Sequence, residues 1–380
     1  MNPEVEHCRS AQRNQQLDGL RGICAMIVVL YHLLIIPTGL AERLNSWVLP
    51  KVVMAGGSAV LVFFALSGFV LYLTFAGRDG FQPIPFIARR LGRLYPPVFA
   101  ATAIAVLLLA LSDIRPLPGT SPWFASLWGS AIDAREIARH CLLVDGDYSF
   151  DSPLWSLAVE VQFSMLFPVL AFAIDRKPRS TALAAVGISL VGAALSGRLG
   201  LPRALDIAST LQFSALFVLG ALLAKNRKAW GEPLAEYSGF RLLALPFAIA
   251  LTVISPQTGL GAPASLGALA LTALVAFSPS WGAILRLRTI QFLGQISFSL
   301  YLTHLPVILA VMYLLGGILP IPAILTLVIP ITLAVGFASF QLFERPSILL
   351  GRWMAERLRS PDRMTFEVLL PSNRNGANAD

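Results

Sequence analysis

Four ionisable side chains interrupt stretches that are otherwise apolar: Arg21, His32, Glu160 and His304. A charge in the hydrocarbon of a bilayer costs at least about 2.5 kcal/mol, so each such residue is a functional candidate by default. Arg21 and His32 are eleven residues apart. On an α-helix they project within about 20° of each other, roughly 16 Å apart along the axis. Counted from the ends of their apolar runs, His32 and His304 each lie roughly 21 Å from one membrane face and Glu160 about 18 Å. Three titratable groups at nearly one depth predict a shared site for proton transfer, either base catalysis or the proton coupling of a carrier. The plainer alternative for each is a polar contact between helices.

The neighbours of these residues sharpen the pattern. Ser152 and Pro153 read as an N-cap and first helical position, which places Glu160 about two turns into a helix with Ser156 on its own face. Ser297, Tyr301 and His304 fall at i, i+4 and i+7, a polar stripe on an apolar helix. Asp18 is placed to cap the first apolar helix or to pair with Arg21 three residues on. Phe86 to Pro96 reads FIARRLGRLYP. On a helix Arg89, Arg90 and Arg93 form one cationic strip beside Tyr95, suited to a polyphosphate ligand through bidentate guanidinium contacts. The plainer reading is an anchor among lipid headgroups. Gly56-Gly57 with Ser58, and later Ser67-Gly68-Phe69, mark close helix packing or a broken helix at depth.

These residues must be held by membrane helices. Of 380 residues 56% are hydrophobic and 13% charged, against about a quarter charged in a soluble protein, which excludes an ordinary soluble fold. The apolar runs predict an all-α polytopic membrane protein of about ten spans, near 18–38, 56–76, 94–112, 154–174, 181–198, 206–224, 241–256, 263–280, 291–315 and 320–342. The net charge of +8 marks one membrane side rather than a nucleic-acid partner. Twenty-one of the 29 basic residues fall in segments on one side of such a topology and seven on the other, with Arg21 inside a span. That bias places both termini in the cytoplasm. The expected organisation is a cytoplasmic segment 1–16, a membrane domain 17–350 and a cytoplasmic tail 351–380, disordered from Ser360 onward.

Between the third and fourth spans, residues 113–153 form an outside connection long enough to be functional, with Trp123, Trp128, His140, Asp145, Asp147, Tyr148 and Asp151. Asp145-Gly146-Asp147 alone does not make a metal site. Cys8, Cys24 and Cys141 have no spacing for zinc or a redox pair, and no metal is expected. The first apolar stretch carries no cleavage site and is read as a retained span.

The sequence resembles the acyltransferase 3 family of integral membrane acyltransferases over roughly residues 15–350, on six motifs in the family's order. They are Leu17 to Gly22, opening an Arg-ten residues-His pattern closed by Tyr31-His32; Phe63 to Phe69; Arg89-Arg90 with Arg93 to Pro96; Leu154-Trp155-Ser156-Leu157 with Glu160 and Phe163; Ser297 to His304; and Phe343 to Pro346. Two positions depart from the family pattern: Ser164 replaces a common aromatic and Phe298 a frequent Tyr. The resemblance implies acetyl-CoA or another acyl-CoA bound from the cytoplasm, and a hydroxyl of a carbohydrate or lipid-linked glycan acylated at or beyond the outer face of the membrane, the plasma (inner) membrane if the source is bacterial.

On that reading His32 is the base, Glu160 orients it or stabilises its charged form, and Arg21 steadies the pantetheine arm or the thioester end. Arg89, Arg90 and Arg93, with Tyr95 and Ser67, hold the coenzyme. Tyr301, His304, Ser156, Trp155 and Asp18 support the site or bind substrate. The rival class is a proton-coupled secondary transporter, and a structural role is a third; the halves show no internal repeat, which weighs against the transporter.

Overall fold

The computed structural model describes residues 3–76, 82–129, 131–144, 148–198, 207–229, 238–254, 261–277 and 282–359. Among them the regular structure is helical, with two isolated bridges and no strand. The major helices are α1 Pro3–Leu34, α2 Gly56–Ala76, α3 Pro83–Leu111, α4 Leu154–Arg176, α5 Pro178–Arg198, α6 Ile207–Lys225, α7 Ser238–Ile254, α8 Ala262–Phe277, α9 Arg288–Leu315, α10 Ile321–Ser339 and α11 Arg345–Arg357. A π-helical turn, Phe340–Glu344, joins the last two. Eight helical runs among the described residues are long and apolar enough to cross a bilayer, the eighth being the continuous Ile321–Arg357. The shorter α7 and α8 stand where the seventh and eighth spans were expected.

Helices in lipid gain little from apolar burial against each other, so close packing needs small residues at the crossings. Glycines supply it at three pairs. A Cβ on Gly22 of α1 would collide with the Gly294 backbone of α9, and one on Gly294 with the carbonyl of Asp18. Gly68 of α2 lies on the backbone of Phe217 in α6, and Gly220 of α6 lies on that of Ala65. In α3 and α11, Gly92 meets Gly351, and Gly351 in turn meets the Arg89 carbonyl. The expectation of packing at Ser67-Gly68 therefore holds. Gly56 begins a helix instead of breaking one and seats the Tyr31 ring.

Several boundaries differ from expectation for physical reasons. Arg89, Arg90 and Arg93 do not precede the third span; they belong to it. The 29 residues of α3 extend about 43 Å, more than the ~30 Å hydrocarbon core, so the arginine turns sit at headgroup level while the same helix crosses. Asp18 caps nothing, because α1 already runs from Pro3. Its carboxyl instead faces a cavity. Ser152 is not the cap of α4: Leu154 is the first helical residue, and the Ser152 carbonyl, not its hydroxyl, receives the Trp155 N–H at 3.3 Å. Helix α1 passes through residue 16 and α11 through residue 350 without a break, so neither expected domain boundary coincides with a helix end. The tail expected to be disordered and the Asp145-Gly146-Asp147 segment lie outside the described residues.

The contact of α1 with α9 leaves no room for a side chain, and a single methyl group tests it. Gly22→Ala should lower the yield of monodisperse protein in detergent several-fold by size-exclusion chromatography. A wild-type profile would mean the helices can part at no cost.

Candidate active site: a histidine pair beside arginine-lined cavities

Helices α1 and α9 run parallel from the crossing at Gly22 and Gly294, and His32 and His304 each lie ten residues beyond it. Equal offsets carry the two rings about 15 Å along both helices to one level. There His304 Nε2 lies 3.0 Å from His32 Nδ1. His304 Nδ1 is 2.7 Å from the Tyr301 carbonyl, and His32 Nδ1 is 3.0 Å from the Val28 carbonyl. A carbonyl only accepts, so these partners assign the proton to Nδ1 on both neutral rings. The one His32 Nδ1–H is then shared between the Val28 carbonyl and His304 Nε2, each at 3.0 Å. The outcome is a His32 Nε2 with its lone pair free, the form a general base requires.

Rings enclose His32. Tyr31 meets it edge-on at 5.2 Å, His304 lies at 5.0 Å, and Trp123 stacks on it at 5.6 Å with 24° between planes. Trp123 comes from the connection between α3 and α4. Ser121 pins that segment to the end of α1, its N–H donating to the Ile36 carbonyl and its hydroxyl to the Ile35 carbonyl, each at 2.7 Å. The same Ser121 side chain caps the short helix Pro122–Ala125 that carries the indole.

The rest of the connection folds back on α3: Leu143 packs with Leu94 and Val98, and Tyr95 directs its hydroxyl to the Leu142 carbonyl at 3.5 Å. Trp128 Nε1–H donates to the Phe150 carbonyl at 3.0 Å, and the Phe150 N–H donates to His140 Nε2 at 3.1 Å. Both backbone groups of Phe150 are thus clamped. Asp151, next in the chain, is fully buried and neither carboxylate oxygen has a hydrogen-bond partner. Burial pushes its carboxyl well above the usual carboxylate range.

Two cavities open toward the end of the bundle that carries the α3 arginines. The narrower, about 820 Å³ with its mouth, is lined by Arg21, Ser67, Arg90, Arg93, Ser156, Glu160, Ser297 and Tyr301 with apolar residues including Phe63 and Phe298. The wider, about 1090 Å³ with its mouth, is lined by Asp18, Arg21, Arg93, Arg288, Gln291, Phe292, Gly294, Gln295, Ser297, Phe340, Glu344 and Ile348. Arg21, Arg93 and Ser297 border both, so the two adjoin there. At the inner end the Tyr301 hydroxyl is 2.7 Å from Ser156 Oγ and 3.2 Å from the Pro153 carbonyl.

The structure redistributes the roles expected of the charged residues. Glu160 does not orient His32; it forms a 2.6 Å ion pair with Arg90, whose Nε donates to Ser164 Oγ at 3.2 Å. The serine that departs from the family pattern thus completes the binding of that guanidinium. The partner of His32 is His304. Arg90 is thereby neutralised within the wall, and Arg89 borders neither cavity. Arg93 does, with its Nε buried and unpartnered. Arg21 likewise has no ion pair among the described residues. Tyr95 and Trp155 line neither cavity; Trp155 packs on Phe64 and Phe213 at 6.0 and 5.8 Å.

Sequence reasoning overlooked Glu344 and Arg288. Glu344 accepts from the Ser299 hydroxyl at 2.6 Å and the Ser299 N–H at 3.2 Å, from within the π-helical turn. Its signal was a carboxylate in the Phe343-Glu344-Arg345-Pro346 motif closing an apolar run.

The comparisons agree with this architecture. Residues 14–340 match the model of an acyltransferase domain. The chain belongs to the acyltransferase 3 family. It is 27% identical over 325 residues to the acyltransferase MdmB of Streptomyces mycarofaciens, covering 80% of this chain and 81% of that protein. It is also 27% identical to the exopolysaccharide production protein ExoZ of Rhizobium meliloti (strain 1021), covering 78% and 91%. A shorter match, 28% over 165 residues, joins it to the putative membrane-bound transacylase BcsY of Komagataeibacter xylinus, covering 42% and 37%. No solved structure matches. This acyltransferase is accordingly a multi-pass membrane protein.

The buried Asp151 gives a pH signature. Its folded-state pKa is raised, so the folded state holds the proton longer than the unfolded chain, and stability falls as pH rises above ~3.9. Asp151→Asn removes that loss. Thermal unfolding in detergent should rise by about 2–4 °C at pH 8, with the gain shrinking toward pH 4. An equal shift at both values would refute the account.

Proposed function

We propose that this protein transfers an acyl group, acetyl in the first instance, from cytoplasmic acyl-CoA to a hydroxyl of a carbohydrate or other cell-envelope acceptor on the opposite face of the inner membrane. The observation that carries the proposal is the His32–His304 pair, with its free Nε2 beside the Trp123 indole; neither ring borders either cavity, and Tyr301, 5.7 Å from His304, links the pair to the narrower one. The excess of basic residues at the cavity end supports that end as cytoplasmic. The printed name of ExoZ supports a polysaccharide acceptor.

In the reaction His32 Nε2 takes the proton of the acceptor hydroxyl as its oxygen attacks the thioester carbonyl. The charge that appears on the imidazole is shared through Nδ1–H with His304 Nε2, which does the orienting work a carboxylate does in a serine hydrolase triad. The C–S bond then breaks, the ester leaves as product, and the proton on His32 passes to the coenzyme thiolate. Arg21 and Arg93, unpaired where the cavities adjoin, attract the anionic donor, and Arg21 steadies its pantetheine arm. Glu160 keeps Arg90 in the wall, while Tyr301, Ser156 and Ser67 offer hydroxyls along the acyl path. No metal is called on.

The test uses membranes, labelled acetyl-CoA and the cell-envelope fraction. Wild-type protein should move label into an ester, which a carrier or a scaffold would not. His32→Ala should cut transfer by ~10²–10⁴-fold, the usual contribution of a positioned base. His304→Ala should cost less, and His304→Gln, which restores an acceptor for Nδ1–H, should recover part of the loss. Undiminished transfer by His32→Ala at normal protein level would reject the mechanism.

A further inference from the structure

We propose that the exposed face of α9 formed by Arg288, Phe292 and Gln295 is the subsite for the nucleotide end of the donor, Arg288 gripping the 3′-phosphate and Phe292 stacking the base. The inference rests on acyl-CoA being the donor and names the part of the site that recognises it.

The three residues fall at i, i+4 and i+7 and share one helix face. All three are exposed and all three border the wider cavity, whereas Ile296 and Ser297 on the other side of the same turns are buried. Phe292 is 38% exposed, and Phe337 lies 5.8 Å away to hold its ring in place. An aromatic face beside a guanidinium suits a ligand that carries both a planar base and a phosphate, since base–aromatic stacking contributes about 1–3 kcal/mol.

Local physics argues against a purely structural Arg288. It is the first residue of a 28-residue helix, and Leu287 at the N-cap supplies no side-chain acceptor. A cation there adds to the positive end of the helix dipole, an unfavourable choice unless an anion is drawn to the spot. Arg288 has no ion pair among the described residues. Across the cavity, Arg93 also borders it without an ion pair among the described residues. Asp18 and Glu344 offset two of the three guanidiniums there and leave the cavity net positive. A lipid headgroup phosphate would meet the same charge, but it carries no base and is indifferent to the 3′-phosphate.

Affinities of the purified full-length protein in detergent for CoA and for 3′-dephospho-CoA separate these sources. Wild type should bind CoA roughly tenfold more tightly, the scale of one hydrogen bond to a charged group. Arg288→Ala should erase that preference by weakening CoA alone, and Arg288→Lys should keep part of it. Phe292→Leu should weaken both ligands alike. Arg286→Ala, a neighbouring charge that borders neither cavity, should change neither. The inference is overturned if Arg288→Ala retains the wild-type preference, as it would for a headgroup anchor, or if Arg286→Ala weakens CoA as much, which would indicate net charge alone. Wild-type protein that binds neither ligand would remove the acyl-CoA reading itself; tight binding with an intact preference in Arg288→Ala would remove only this subsite.

Discussion

The approach of α1 to α9 at Gly22 and Gly294 is the constraint on which the site depends. Neither helix can rotate or slide there without putting a side chain into the other's backbone. Because the helices are parallel and each histidine lies ten residues beyond its glycine, fixing the crossing fixes the level of both rings. A 3.0 Å contact between imidazoles tolerates little axial drift, and one residue of register would move a ring by about 1.5 Å. The glycines thus set the geometry of a hydrogen bond two to three turns away. In lipid, where burying apolar surface discriminates poorly between helix faces, such steric fits carry most of the positional information.

The charges follow a second logic. Of the four arginines at or near the cavities on α1, α3 and α9, Arg90 is neutralised by Glu160 and held by Ser164, while Arg21, Arg93 and Arg288 have no such partner. Pairing Arg90 makes it a rigid part of the wall; leaving the others unpaired keeps the adjoining cavities positive. The unpartnered carboxyl of Asp151 in the connection between α3 and α4 is a standing cost. Such costs persist in folded proteins chiefly at sites that act on something.

Much of this was legible in the chain. Hydropathy located the helices, and depth counting brought His32 and His304 to one level because each count needed only a helix rise and an end. Glu160 shows where that reasoning stops. Depth is one coordinate of three, and the rotation of α4 about its axis turns Glu160 to Arg90 on α3 instead of to His32. Asp18 misled for another reason: a capping residue type before an apolar run looks the same whether the helix begins there or began fifteen residues earlier. Arg288 and Phe292 went unnoticed because exposed residues at a helix start carry no periodic signal; only the cavity makes them neighbours of Arg21 and Arg93. The described parts of the connection between α3 and α4 are held by single pairings such as Trp128 with Phe150, which no pattern announces.

Thioesters hydrolyse when an imidazole can deliver a water molecule to them. With an indole laid over one side of the His32 ring and a second imidazole against another, few solvent molecules can reach the nitrogen that would activate them. In the proposed reaction an alcohol held beside the indole would gain an access that bulk water lacks, and the donor's energy would go into an ester and not into futile cleavage.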